Sequence, residues 1–298
     1  MKHIYGIEKT NNTCVTFGRF DGVHKGHIAV VDSMIQESKK HGVKSLLLSF
    51  DCSKEAGDFL TTEEEKEHLF KKTDLNILMS VDYADVKNIS PELFVRNILI
   101  GQLGAKIIVI GKDYCFGKDG NIELLHKIAY EKNVQVIVEN LVKEDGVIVC
   151  SQDIKEILKA GSPEKVIRLC NHPYTMIGEI VHGKALGRTV GMPTANLNVV
   201  NNKLMPLSGV YGTLTNIDGK IYQGLTNIGK RPSVDDSKLI TIETFLLDFS
   251  KNIYGKNVIL ETHSYIRGVV KFNNLDEVKK QVEKDIIQIR SYFDTIGK

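Results

Sequence analysis

The sequence predicts a doubly wound parallel α/β domain, then a mainly β, antiparallel domain and a closing helix. Short apolar runs alternate with helical stretches from residue 13 to about 150, the pattern of strands joined by crossover helices. Beyond residue 170 strand-like segments follow one another without helices between them. Residues 274–293 repeat their apolar positions at three and four, the period of one helical face.

The elements follow in order. "CVTF" (14–17) is a strand, a helix runs from Lys25 to about Lys40, and "SLLLSF" (45–50) is the next strand. Continuous apolar strands of this kind belong to a sheet covered on both faces. "TTEEEKEHLFKK" opens on threonine and early glutamates, a helix N-terminus. "NILMSV" is a strand, and "SPELFVRNILIGQL" a helix with Ser90 as cap and Pro91 in its first turn. "KIIVIG" (106–111) and "QVIVEN" (135–140) add two strands. After the helix "SPEKVIRLC" (162–170), five segments read as strands: "TMIGEIVHG", "GVYGTLTNI", "KIYQGLTNIG", "ITIETFLLDF" and "NVILETHSYI". "NIDGK" between two of them is a tight hairpin signal. Five or six strands without helices make an antiparallel barrel or sandwich. Asn274 and Glu277 open the last helix as a capping box, and Leu275, Val278, Val282, Ile286, Ile289 and Phe293 form its apolar stripe. The domains are expected to be 1–170 and 171–298.

Composition narrows the classes. The 298 residues are 42% hydrophobic and 26% charged, a globular balance, and a net charge of +2 offers no electrostatic case for nucleic acid or an anionic membrane. No apolar run nears the roughly 18 residues of a membrane span, and "MKHIYGIEKT" lacks the apolar core of a signal peptide. Five scattered cysteines without a CxxC pair are expected to be reduced thiols of a cytoplasmic protein.

Two glycine-rich stretches carry the chemistry. "TFGRFDGVHKGH" (16–27) falls between the first strand and the first helix, where an open parallel sheet binds its ligand. Gly18 and Gly22 allow tight turns and close approach. The helix beginning at Lys25 aims free N–H groups at the same place, which favours phosphate. His24 and His27 can donate to anionic oxygens as charge builds during attack on phosphorus. In isolation such a pair is more often two hydrogen-bonded surface histidines; the strand–loop–helix setting favours the phosphate reading. No carboxylate or cysteine stands nearby at metal-ligand spacing.

"GEIVHGKALGRTVGMPTANL" (178–197) spaces Gly183, Gly187 and Gly191 every fourth residue. Three glycines cost a helix about 3 kcal/mol against alanine, so a loop wrapping phosphates is better physics, with Lys184 and Arg188 adding charge. Thr194 and Asn196, in a turn fixed by Pro193, offer hard oxygens suited to Mg²⁺ shared with a nucleotide. Glu243, in the strand "TIETFLLDF", either accepts a hydroxyl proton during phosphoryl transfer or points to solvent.

These motifs resemble a known family. FDGVHxGH is similar to the nucleotide-binding signature of the FAD synthetase domain in bacterial bifunctional riboflavin kinase/FMN adenylyltransferases, and "LTTEEEKEHLF", "SPELFVRNIL" and "GKDYCFGKDGN" resemble further segments of it. HGxxxGRxxGxPTAN resembles the riboflavin kinase signature, and "GVYGT", "NIGKRPSV", "ETFLLDF", "IYGKNV" and "YIRGVVKF" continue the likeness almost to the end. The resemblance implies a nucleotidyltransferase-like α/β domain, then a β-barrel riboflavin kinase domain. ATP and Mg²⁺ serve both, with riboflavin and FMN as substrates. It implies that His24 and His27 hold ATP phosphates, with Gly18, Phe20, Asp21, Gly22, Gly26, Ser151 and Lys155 around the nucleotide. Asp113 and Phe116, in the 113–117 loop, would lie by the flavin; read alone, these are a turn residue and a core aromatic. In the second domain Gly183, Lys184, Gly187, Arg188 and Gly191 would cover ATP, Thr194 and Asn196 hold Mg²⁺, and Glu243 act as base. Asn227 and Arg267 would meet the flavin, and Gly229 and Pro232 lie in a flap.

Two departures stand out. Family members usually carry Pro-His-Pro where this chain has Cys52, Ser53 and Lys54, and Ser-Ser-Thr-x-Ile-Arg where it reads "CSQDIK" (150–155). Ser151 survives, but Gln152 and Lys155 replace the threonine and arginine. Lysine keeps the charge and does without the planar fork. A missing charge-assisted hydrogen bond costs about 1.5–3 kcal/mol, roughly 10- to 100-fold in rate. Riboflavin kinase alone, with a weakened first domain, is therefore one alternative; a non-catalytic flavin-binding regulator is another.

Overall fold

The computed structural model describes residues 1–113, 116, 120–183, 192–230 and 240–298. They form two compact units, Met1–Ser151 and Gln152–Lys298.

The first unit is built on six parallel strands: β1 (Lys2–Tyr5), β2 (Thr13–Gly18), β3 (Lys44–Asp51), β4 (Ile77–Asp82), β5 (Ala105–Gly111) and β6 (Gln135–Glu139). Their order across the sheet is β1-β4-β3-β2-β5-β6. The chain moves outward from β2 through β3 to β4, then returns to place β5 on the other side of β2. The reversal makes the carboxyl end of β2 the switch point, where such sheets bind ligands. Alternate residues of the central strands enter two cores. Val15, Phe17, Leu46 and Leu48 pack on one face; Cys14, Leu47, Ile107 and Val109 pack on the other. That double burial is why the strands read as continuous apolar runs. β1, a four-residue edge strand with one buried side chain, carries too little pattern to be legible.

The helices begin where the caps announce them. α1 (Lys25–His41) ends at Gly42, whose φ of 65° supplies the left-handed residue that closes a helix. α2 (Glu63–Phe70) has a full capping box between Thr62 and Glu65. α3 (Tyr83–Val86) follows β4, and α4 (Pro91–Leu93), capped by Ser90, runs into a nine-residue π-helix, Phe94–Gln102. α5 (Ile122–Glu131) precedes β6, and a two-stranded ribbon, β7 (Lys143–Glu144) with β8 (Val147–Ile148), follows it.

α6 (Ser151–Lys159) starts at the last residue of the first unit, and α7 (Pro163–Cys170) packs on two strands of the second, Tyr174–Val181 and Asn257–Arg267. That unit is a closed antiparallel barrel of β9 (Tyr174–Val181), β10 (Thr194–Asn198), β11 (Gly209–Ile217), β12 (Lys220–Lys230), β13 (Ile240–Leu246) and β14 (Asn257–Arg267), ordered β10-β13-β12-β11-β14-β9. β10 contains the Thr-Ala-Asn expected as a turn. Its residues read as polar because only Leu197 is buried. The hairpin at "NIDGK" has positive φ at both Asp218 (51°) and Gly219 (84°), the primed turn that Asp-Gly favours. α8 (Leu275–Thr295) closes the unit, and its Ile289 and Phe293 pack on Val210, Leu214, Leu225 and Leu247. The stripe starts one turn later than its first apolar residue, since Leu275 is exposed.

Candidate functional sites

In the first unit the backbone between β2 and α1 is unusual. Phe20 (φ 47°) and Val23 (φ 41°) are left-handed although neither is glycine, and Gly22 (φ 85°) lies between them. Each non-glycine residue there costs of order 1–3 kcal/mol, and the surroundings hold the shape. Asp21 Oδ1 accepts from Leu60 N (2.6 Å) and Thr61 N (3.1 Å), while Gly22 N donates to Thr61 Oγ1 (2.9 Å). Ser151 Oγ donates to the Asp21 carbonyl at 2.7 Å. Asp21 and Ser151 therefore meet in the structure, and Asp21 ties the loop to the start of α2. Phe20 is buried against His27 and Phe70.

His24 is the N-cap of α1, its Nδ1 accepting from His27 N at 3.4 Å, and the two rings stack at 3.7 Å. A Cβ on Gly26 would lie 3.1 Å from the His24 ring, so glycine leaves the ring its place. Nδ1 of His27 is sealed from solvent without a hydrogen-bond partner among the described residues, although the residue as a whole is only half-buried. Burial, then His24 and Lys66, push its pKa well below the usual 6.5. A neutral imidazole with an unsatisfied ring nitrogen at a helix N-terminus suits an anionic ligand.

Lys66 belongs to a buried network that the sequence did not reveal. Its Nζ donates to Glu63 Oε1 (2.5 Å) and Ser49 Oγ (3.0 Å); Ser80 Oγ donates to Glu63 Oε2 (2.5 Å). Burial works against the Glu63 carboxylate, yet Lys66, Ser80 and Ser49 hold its pKa below the ordinary value. The residues replacing Pro-His-Pro are engaged locally: Ser53 N donates to Asp51 Oδ1 (2.9 Å), and Lys54 pairs with Asp82 (2.5 Å). Lys155 lies one turn beyond Ser151 on α6, in the second unit. Asp113 is exposed just beyond β5, and Phe116 packs in the core against Phe17 and Phe94. Tyr114 and Gly117 lie outside the described residues.

In the second unit the barrel register aligns the candidates. Asn196 pairs with Glu243, Glu243 with Asn227, Asn227 with Val210, and Val210 with Arg267. Laterally paired residues share a face, so five strands present one row, Asn196–Glu243–Asn227–Val210–Arg267, stepping about 5 Å per strand. Thr194 lies two residues from Asn196 on the same face. Thr194, Asn227, Glu243 and Arg267 line a cavity of about 290 Å³ together with Phe272 and with Asp285 of α8. Glu243 is half-buried there. Asp285, almost fully buried, takes Arg267 Nε at 2.9 Å and Gln281 Nε2 at 2.8 Å; nothing in the linear sequence marks it. A second cavity of about 480 Å³ is lined by Pro193, Thr194, Thr244, Asn252 and Tyr254, so Thr194 borders both.

Gly183 lies against the row. An added Cβ would be 2.2 Å from Asn196 Nδ2. Beside it His182 stacks on Tyr254 at 3.7 Å. A threonine hydroxyl and an asparagine amide on one strand, with a carboxylate paired to that asparagine, fit a hard cation. Lys184, Gly187, Arg188, Gly191 and Pro232 lie outside the described residues.

The folds and sites define a protein with two separate candidate ligand sites, one at the switch point of an α/β sheet and one on a closed barrel. Residues 6–153 match the family model described as FAD synthetase, and 170–293 that described as riboflavin kinase. A bifunctional riboflavin kinase/FMN adenylyltransferase of Buchnera aphidicola subsp. Schizaphis graminum is 31% identical, with 99% of each chain covered. One of Listeria monocytogenes is 30% identical over 95% of this chain and 93% of its own. A solved structure from Streptococcus pneumoniae, described as a macrolide-efflux protein, shares the fold with a TM-score of 0.86 at 27% identity, covering 97% of this chain and 98% of that one. No helix among the described residues of the present chain is long and apolar enough to cross a membrane. The chain belongs to the bifunctional riboflavin kinase/FMN adenylyltransferase family.

Proposed function

We propose that this chain makes both flavin cofactors: residues 171–298 phosphorylate riboflavin to FMN, and residues 1–170 adenylylate FMN to FAD. The observation that carries the first half of the reading is the five-strand row. Glu243, between Asn196 and Asn227 in the row, accepts the proton of the ribityl hydroxyl as that oxygen attacks the γ-phosphorus of ATP, and ADP leaves. Asn227 and Arg267 hold the flavin further along the row. Thr194, between the two cavities, meets the transferring phosphate from the nucleotide side. Thr194 and Asn196 would hold Mg²⁺, which supplies charge neutralisation when bound. Gly183 gives Asn196 room, and Lys184, Gly187, Arg188 and Gly191 cover the nucleotide.

In the first domain, an oxygen of the FMN phosphate attacks the α-phosphorus of ATP and pyrophosphate leaves. His27, neutral because its site excludes charge, donates a hydrogen bond to phosphate oxygen, with His24 beside it. Gly18, Phe20, Asp21, Gly22 and Gly26 shape the backbone around the nucleotide, Ser151 fixes it from α6, and Lys155 adds charge. Asp113 and Phe116 border the flavin. Both activities belong in the cytoplasm in this reading.

Incubating the protein with riboflavin, excess ATP and Mg²⁺ and separating the flavins by chromatography tests this. Sequential appearance of FMN and FAD is expected. FMN without FAD would leave the kinase alone, and flavin binding without turnover would leave a regulator.

A further inference from the structure

We propose that Arg19 is the residue by which the first unit selects FMN over riboflavin, its guanidinium gripping the flavin phosphate. The inference rests on the adenylyltransferase reading of that unit. Arg19 is exposed and follows directly on β2, whose carboxyl end is the switch point of the sheet. Its guanidinium lies 4.8 Å over the Tyr83 ring, a contact that orders an otherwise flexible side chain.

Four lysines of the same unit are already neutralised by carboxylates. Lys54 is paired with Asp82 at 2.5 Å, Lys87 with Glu55 at 2.8 Å, Lys66 with Glu63 at 2.5 Å, and Lys25 with Glu144 at 2.7 Å. Arg19 has no carboxylate partner among the described residues. Glu55, whose field reaches it, is held by Lys87. An ordered, unneutralised guanidinium at the ligand end of the sheet is a ready partner for a dianion. Its planar fork binds two phosphate oxygens at once.

The reaction calls for such a group. Riboflavin and FMN differ only in the phosphate, and one of its oxygens is the nucleophile. A fork holding the other two leaves the third facing the nucleotide. This chain has lysine where the family motif has arginine, at Lys155, and its Lys54 is engaged with Asp82.

The test titrates the full-length protein, wild type, Arg19→Ala and Arg19→Lys, with FMN and separately with riboflavin, by equilibrium dialysis. Wild type is expected to bind two FMN per chain, one on the barrel, and Arg19→Ala one at the same concentrations. Arg19→Lys falls between, and riboflavin binding is equal in all three. In turnover, Arg19→Ala raises the KM for FMN in FAD formation roughly tenfold or more and leaves FMN formation from riboflavin unchanged. Two FMN bound by Arg19→Ala with wild-type affinity, a single FMN bound by wild type, or parallel loss of FMN and riboflavin binding would each overturn the assignment. An Arg19-dependent second FMN in a protein that forms no FAD would keep the assignment and reject adenylylation.

Discussion

Gly183→Ala should separate the two chemistries by a single methyl group. The new Cβ would lie 2.2 Å from Asn196 Nδ2, 2.6 Å from its Cγ and 2.7 Å from its Oδ1, all well inside ordinary van der Waals separation. The Asn196 backbone does not yield, because it is paired to Val181 on one side and Glu243 on the other. The side chain therefore turns away. A new rotamer costs the fold only about 0.5–1.5 kcal/mol, so the thermal midpoint should move by a few degrees at most. The site loses far more: moving a positioned group by about 1 Å costs on the order of 100-fold, or about 2.7 kcal/mol in the barrier. Initial rates of FMN formation from riboflavin and of FAD formation from FMN, measured on one preparation, read both effects. FMN formation should fall about 100-fold and FAD formation should stay within twofold. FMN formation within threefold of wild type would refute the reasoning, as would loss of both activities in a folded protein.

Three further outcomes follow from the buried groups. The unfolded chain takes up a proton near pH 6.5 that native His27 refuses, so His27 lowers stability as pH falls through that value. Between pH 7.5 and 5.5, wild type should lose more stability than His27→Gln in denaturant titrations; equal losses would count against a buried neutral imidazole. Lys66→Met strands the Glu63 carboxylate and should cost about 3–5 kcal/mol, whereas Glu63→Leu with Lys66→Met should recover most of it; a single variant as stable as wild type would contradict the network. His263 is buried with neither ring nitrogen hydrogen-bonded among the described residues, its Nε2 lying 3.6 Å from Glu261 Oε2. His263→Leu should therefore stabilise the second unit, by about 1–2 kcal/mol; a lower midpoint would show that the histidine is satisfied.

Much of this architecture was legible because local chemistry agreed with the fold. Ser90 and Thr62 cap the helices they announce, and Asp218-Gly219 makes the primed turn that its residues favour. β10 was hidden because four of its five residues are half-buried or exposed, so it has no apolar run. The individual site residues stood out by type and spacing, but their assembly did not. The row from Asn196 to Arg267 exists only in the strand register. Asp285 reaches Arg267 across 18 residues of chain. The left-handed Phe20 and Val23 defy local preference, and bonds from Asp21 and Gly22 to residues 60, 61 and 151, distant in sequence, help them persist.

Two independent phosphate-transfer sites on one chain are tested most directly by crossing Glu243→Gln with His27→Gln. Glu243→Gln should abolish FMN formation and leave FAD formation from supplied FMN within twofold; His27→Gln should do the reverse. If either substitution abolished both products in a folded protein, or neither affected its own, the two-site account would be contradicted.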